Sequence, residues 1–360
     1  MDSPKSEIFH TAAKQTLSSP TKILNLNIEV GRSLAIISVI VVHMSMGYFN
    51  NKLLIGTSDW YISNLFYSIT RFCVPFFLIT TAYIYHIDAE QIRKPLIYKF
   101  KRLIIPFLFW SVAYYFYTGY VSNEKDIVSF IKMMITSGTA FHLWFFYSFF
   151  FYLISVPAFK IIYDNMTEKN YNFILYFLTI FLIVIPSLAN YFGIDNGIIP
   201  SFDGNKIKPD FIIYSAITPW AMNKFCNASS NKLLLIFITS CAINFIATSI
   251  ISNKNGQPYE TAYSYTNLLV LIGSYSLFLY VTKLKRSFSL KEEKLIITVG
   301  RSSFGIYLAH WMVYITLDNA GFFIHRSALP SIIFDSLLLL TATILLIQLM
   351  LKTPYLKKLI

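Results

Sequence analysis

The chain has 360 residues, of which 55% are hydrophobic and only 13% are charged. Soluble globular domains have about 25% charged residues, so this composition excludes an ordinary water-soluble protein. The net charge is +12, but the cations cluster in loops on one side of the predicted spans, so no nucleic-acid partner is expected. The three cysteines show no CxxC or metal-ligand spacing, and no disulfide framework is indicated.

Ten apolar stretches predict an all-α, multi-pass membrane protein, because about 20 apolar residues cross a bilayer. The predicted transmembrane domain covers residues 26–352, between a polar tail of residues 1–25 and a short tail of residues 353–360. The sixth stretch is short and holds two prolines, so it is expected to kink or to re-enter the membrane. The predicted spans are 27–49, 61–87, 103–121, 141–161, 172–192, 208–222, 231–251, 264–282, 295–317 and 329–351.

Lysine and arginine are distributed unevenly between alternate loops. Of the 30 Lys and Arg residues, 20 lie in segments on the side of the N-terminal tail and 7 lie in segments on the opposite side. Cytoplasmic loops carry an excess of Lys and Arg, so both termini are predicted to be cytoplasmic.

Arg32 and His43 lie eleven residues apart in the first span, among almost no other polar side chains. Eleven residues make three helical turns to within about 20°, so both side chains face one way, roughly 16 Å apart along the axis. Ionisable residues inside a membrane are functional candidates by default. His43 is either a general base or a structural histidine bonded to a neighbouring helix. Arg32 is either an anion contact or an interfacial arginine, and Glu29 is spaced to pair with it.

The second and third spans carry further cations. Arg71 is predicted near the bilayer middle, where it needs a partner or an aqueous cavity, and this position favours a functional role. Pro75 follows it and predicts a kink. Lys99, Lys101 and Arg102 crowd the start of the third span. A positive-inside anchor explains these three cations, and so does a site for the phosphates of a nucleotide cofactor.

The fourth and ninth spans hold the remaining candidates for substrate contacts. His142 and Trp144 begin the fourth span, where they are either ordinary residues of the membrane interface or part of a substrate entrance. Tyr307 and His310 lie in the ninth span, and His310 is at a depth similar to that of His43. These two histidines are therefore expected to face one cavity. The histidines lack HxxxH and HExxH spacing, so no metal site is predicted.

Five short elements, taken in order, resemble the membrane acyltransferase-3 family. The first is the pair Arg32 and His43 with ten residues between them, preceded by Glu29. The others are RFCVPFFL from Arg71, KRLIIP from Lys101, HLWF from His142 and SFGIYLAH from Ser303. The chain resembles most the branch of the enterobacterial common antigen and O-antigen acetyltransferases. It departs from the family at Thr80-Thr81, where Ser-Gly is common, and at Lys99, where an arginine would allow bidentate phosphate contacts.

The resemblance implies an O-acetyltransferase of the bacterial inner membrane, with the lipid bilayer as its setting and no bound cofactor. It would move an acetyl group from cytoplasmic acetyl-CoA to a hydroxyl of a cell-surface or lipid-linked carbohydrate. His43 would be the base, Arg32 and Arg71 would bind or polarise the donor, and Lys99, Lys101 and Arg102 would lie near the CoA phosphates. The alternative is a transporter or flippase of a lipid-linked saccharide or its acyl donor, although the chain shows no clear internal repeat.

The predicted orientation is tested by an alkaline phosphatase fusion after Ile360. This enzyme is active only outside the cytoplasm, so we expect an inactive fusion there and an active one after Asn51 in the first loop. Phosphatase activity of the fusion at Ile360 would contradict the orientation.

Overall fold

The structure is a computed structural model that describes residues 26–88, 90–93, 95–122, 127–136, 138–192 and 208–360. All regular structure in these ranges is helical, as predicted, and they contain no strand. The predicted tail of residues 1–25 lies outside the described residues. The longer helices are Leu26–Phe49 (α1), Ser58–Thr70 (α2), Cys73–Ile87 (α3), Leu96–Ser122 (α4), Ile127–Thr136 (α5), Trp144–Asn165 (α6), Glu168–Phe192 (α7), Ile212–Lys224 (α8), Ser230–Asn255 (α9), Leu268–Thr282 (α10), Leu290–Asn319 (α11) and Ala328–Leu351 (α12).

Seven helical segments of the described chain are long and apolar enough to cross a membrane. They are α1, α2 together with α3, α6 with the turn before it, α7, α9, Glu260–Thr282 including α10, and α12. The predicted spans 103–121, 208–222 and 295–317 are also helical, in α4, α8 and α11, but fall outside this set. The short α8 has only 13 residues. A count of ten spans therefore stays a prediction.

Helix α1 lies at the centre of the bundle, where it contacts α2, α3, α10, α11 and α12. Two glycines allow these close contacts. A Cβ at Gly31 would overlap the ring of Phe76 on α3, and a Cβ at Gly300 on α11 would overlap the carboxylate of Glu29. By contrast, only 17% of the apolar window of α9 is buried within the protein, which leaves most of that helix to face lipid.

The second predicted span is broken into two helices at Arg71 and Phe72. Pro75 has no N–H to donate to the carbonyl of Arg71 four residues earlier, and its ring clashes with that carbonyl in a continuous helix. The ladder of α3 begins instead with the Phe76 N–H, which donates to the Phe72 carbonyl at 2.8 Å. The predicted kink thus occurs as a break before Pro75, and Arg71 lies at the end of α2.

The contact between Gly31 and Phe76 gives a test of the packing of α1. We expect Gly31→Ala to lower the Tm of the purified protein, because overpacking a core costs about 1–3 kcal/mol. Gly47→Ala on the same helix is the matched control, because a Cβ there meets no atom within 4 Å. Its Tm should stay unchanged or rise slightly, since alanine favours a helix over glycine. Equal Tm values for the two variants would show that Gly31 is not a packing constraint.

Candidate active site

A cavity of about 840 Å³ lies between α1, α3, α4, α6 and α11. Its volume is within the range of sites that enclose a cofactor or a drug-sized ligand. Seven cations line it, and none of its described lining residues is acidic. The cations are Arg32, Lys99, Lys101, Arg102, Arg301, Lys357 and Lys358. A cavity lined by one sign of charge concentrates ligands of the opposite sign, so this one favours an anion.

Arg32 is held in the cavity wall by two polar contacts. Its guanidinium donates to Glu29 Oε1 at 3.2 Å, which confirms the predicted pair, and to Ser303 Oγ on α11 at 3.1 Å. The side chain is 27% exposed and lines the cavity. A guanidinium has five N–H donors, so these two bonds leave others for a ligand.

His43 lines the same cavity as Arg32, as their eleven-residue spacing predicted. Its Nδ1 is buried and has no hydrogen-bond partner. Its Nε2 is not buried in this way, so Nε2 is the ring nitrogen that a ligand in the cavity can reach. The imidazole is packed by the rings of Phe141 and Trp311, with centroids 5.0 and 6.0 Å away. The ring is thus fixed in place while one nitrogen stays available.

His142 and His310 lie beside His43. The His310 ring stacks on His43 with centroids 5.2 Å apart, and the His142 ring lies 4.9 Å from His310. His142 lines the cavity, but His310 does not, so the expectation that His310 faces it together with His43 is corrected. The physical reason is that His310 Nδ1 is bound to backbone carbonyls of its own helix, at Tyr307 (2.8 Å) and Ile306 (3.1 Å). These bonds hold the fully buried ring behind the cavity wall.

Aromatic side chains complete the wall near the histidines. Trp144 and Tyr265 both line the cavity, and their rings are stacked with centroids 6.1 Å apart. Tyr307 also lines it, and its hydroxyl donates to the backbone carbonyl of His142. Tyr265 lies in the loop before α10, and no sequence pattern indicates that it belongs to the site.

Arg71 is buried behind this aromatic wall and does not line the cavity. Its Nε donates to the Tyr263 carbonyl at 2.7 Å. Its guanidinium lies over the Tyr67 and Tyr265 rings, with its central carbon 4.8 and 4.4 Å from their centroids. These contacts supply the partners that a cation needs in the membrane interior.

The three predicted cofactor-binding cations all line the cavity, but they are not equivalent. Lys99 Nζ donates to the Gln91 carbonyl at 2.8 Å and to the hydroxyl of Tyr85, so it ties α4 to the end of α3. Lys101 and Arg102 are exposed at the mouth. The sequence interpretation missed three further cations here, Arg301, Lys357 and Lys358, because each also fits an ordinary positive-inside position.

The acyltransferase domain family Acyl_transf_3 matches residues 25–351. The chain belongs to this family. The match confirms the predicted family and covers the helices that build the cavity. No curated protein and no solved structure matches the chain significantly. The protein is therefore a membrane acyltransferase, and its activity requires an acyl donor and an acceptor.

The contacts of Arg71 predict that this acyltransferase needs a guanidinium at this position. An ammonium cannot lie flat against two rings and also bond the Tyr263 carbonyl. We expect Arg71→Lys to lower acyl transfer about 10²-fold, because small misplacements near a reacting centre cost this much. The exposed Arg326→Lys is the control, and Tm values verify that both variants fold. Full activity of Arg71→Lys would show that this position needs only a positive charge and not a guanidinium.

Proposed function

We propose that the protein is an O-acetyltransferase of the bacterial inner membrane. It moves an acetyl group from cytoplasmic acetyl-CoA to a hydroxyl of a cell-surface or lipid-linked carbohydrate, as its resemblance to the enterobacterial common antigen and O-antigen acetyltransferases suggests. The observation that carries the proposal is one cavity shared by seven cations and by the available nitrogen of His43.

The arrangement of charged and apolar side chains in the cavity matches that of charged and apolar groups in an acyl-CoA molecule. Coenzyme A carries its phosphates at one end and its thiol at the end of a long, weakly polar arm. Along α1 the cation Arg32 and the imidazole of His43 are separated by roughly 16 Å. Apolar side chains line the space along this path, among them Val39, Val42 and Phe77. Phosphates bound by the cations would therefore direct the thioester towards His43.

In the proposed reaction, His43 Nε2 accepts the proton of the acceptor hydroxyl as its oxygen attacks the thioester carbon. The new C–O bond forms, the C–S bond breaks, and the imidazolium returns its proton to the departing CoA thiolate. Between these two steps negative charge develops on the oxygen of the thioester carbonyl. A fixed positive charge in a site without water stabilises it. Arg71 contributes such a charge from behind the ring of Tyr265, which lines the cavity.

The acceptor is proposed to bind against the aromatic wall. Trp144 and Tyr265 present two stacked rings to the cavity, and Tyr307 and His142 adjoin them. Flat aromatic faces pack against the apolar C–H faces of sugar rings while the sugar hydroxyls stay free to react. A transporter or flippase, the alternative considered from the sequence, receives no support from the match to an acyltransferase domain.

The test of this function is transfer of radiolabelled acetyl from acetyl-CoA to glycan by the purified protein in proteoliposomes. We expect His43→Ala to lower the rate about 10²- to 10⁴-fold, the usual effect of losing a general base. His325→Ala is the control, because that exposed histidine lies outside the cavity.

Mass spectrometry of surface glycans, with and without the protein, identifies the acceptor as the species that loses acetyl groups. Wild-type acetylation by a well-folded His43→Ala variant would remove His43 from the mechanism. Absence of any acetyl transfer by the wild-type protein would refute the proposed donor.

A further inference from the structure

The segment after α12 folds back against the helices that build the cavity. It ends in a single 3-10 turn, Leu356–Leu359. The indole Nε1 of Trp110 on α4 donates to the Leu359 carbonyl at 2.9 Å. Ile360 packs on α11, where a Cβ at Gly305 would lie 3.1 Å from the Ile360 Cβ. The segment is thus pinned to two helices of the cavity wall.

This placement brings two more cations into the cavity. Lys357 and Lys358 line it together with Ile360. The turn is fixed by its own backbone, since the Lys357 N–H donates to the Thr353 carbonyl at 3.0 Å. Lys352, at the start of the same segment, is exposed but does not line the cavity. The segment also lies outside residues 25–351, the part that matches the family.

We propose that residues 353–360 form one wall of the donor site, and that Lys357 and Lys358 bind phosphate groups of the donor. The inference rests on the proposed function, in which the donor is acetyl-CoA. Coenzyme A carries a pyrophosphate and one separate phosphate, so its binding needs several cations. Lysine binds phosphate as a point charge. Lys99 is already bonded to Tyr85 and Gln91, so its ammonium has fewer donors left for a ligand.

The experiment measures coenzyme A binding to the full-length protein in detergent by isothermal titration calorimetry at low salt. We expect the double variant Lys357→Ala with Lys358→Ala to bind CoA about tenfold more weakly, since two charge-assisted contacts are lost. Lys352→Ala should bind as the wild type does. The difference should shrink at high salt, because screening weakens charge contacts at an open mouth. Dephospho-CoA, which lacks the separate phosphate, shows which phosphate the lysines contact.

Two further variants separate charge from structure. Lys357→Arg with Lys358→Arg keeps both cations and should retain CoA binding. Trp110→Phe removes the bond to the Leu359 carbonyl and keeps an aromatic ring, although a smaller one, and it should weaken CoA binding less than the alanine pair does. In transfer assays the alanine pair should raise KM for acetyl-CoA about tenfold with kcat nearly unchanged, because contacts to the phosphates are made equally in the ground state and in the transition state.

The outcomes distinguish this inference from the proposed function. If the wild type binds CoA and the alanine pair binds it equally well, the tail takes no part in donor binding and the inference is overturned alone. If the wild type neither binds CoA nor transfers acetyl, the donor assignment is wrong and the inference is overturned with it. If the arginine pair loses binding as fully as the alanine pair, the effect is one of packing, which also overturns a phosphate role.

Discussion

The contact on which the site depends is the link between Glu29, Arg32 and Ser303. A charged side chain among apolar helices is costly unless it is paired and hydrogen-bonded. Here the carboxylate of Glu29 lies over Gly300, where any Cβ would displace it, and Arg32 bridges from that carboxylate to Ser303. These contacts fix how α1 is rotated about its axis against α11. Because His43 lies on the same face of α1, its position in the cavity follows from that rotation.

The same helix gives the cavity its direction. Cations, imidazoles and aromatic rings all line the cavity, and along α1 the cation Arg32 and the imidazole of His43 lie roughly 16 Å apart with Val39 and Val42 between them. In the proposed function, the cations bind the phosphates of the donor, and the apolar walls keep water from its thioester. The central, well-buried helices carry this arrangement, while α9 is mostly unburied within the protein and faces the surrounding lipid.

The sequence predicted those features of the site that depend on local helical geometry. The Arg32–His43 face and the Glu29–Arg32 pair follow from periodicity alone, and both occur in the structure. Features that depend on tertiary packing were not predictable. His310 is buried against the rings of His43 and His142 from other parts of the chain, and Tyr265 reaches the cavity from a loop. The break before α3 was foreseen as a kink, but its place was missed because a proline disturbs the carbonyl four residues earlier.

The bonds of His310 also limit how many protons the site can hold. Its Nδ1–H is committed to two backbone carbonyls, so its Nε2 carries no proton in the neutral ring. A second imidazolium beside a protonated His43 would place two like charges in rings stacked 5.2 Å apart. The stacked pair therefore takes up at most one proton beyond the one that each neutral ring already carries. In the proposed reaction, His43 must therefore pass its proton to the departing thiolate before it can deprotonate the next acceptor hydroxyl, so release of the first product prepares the site for the next substrate.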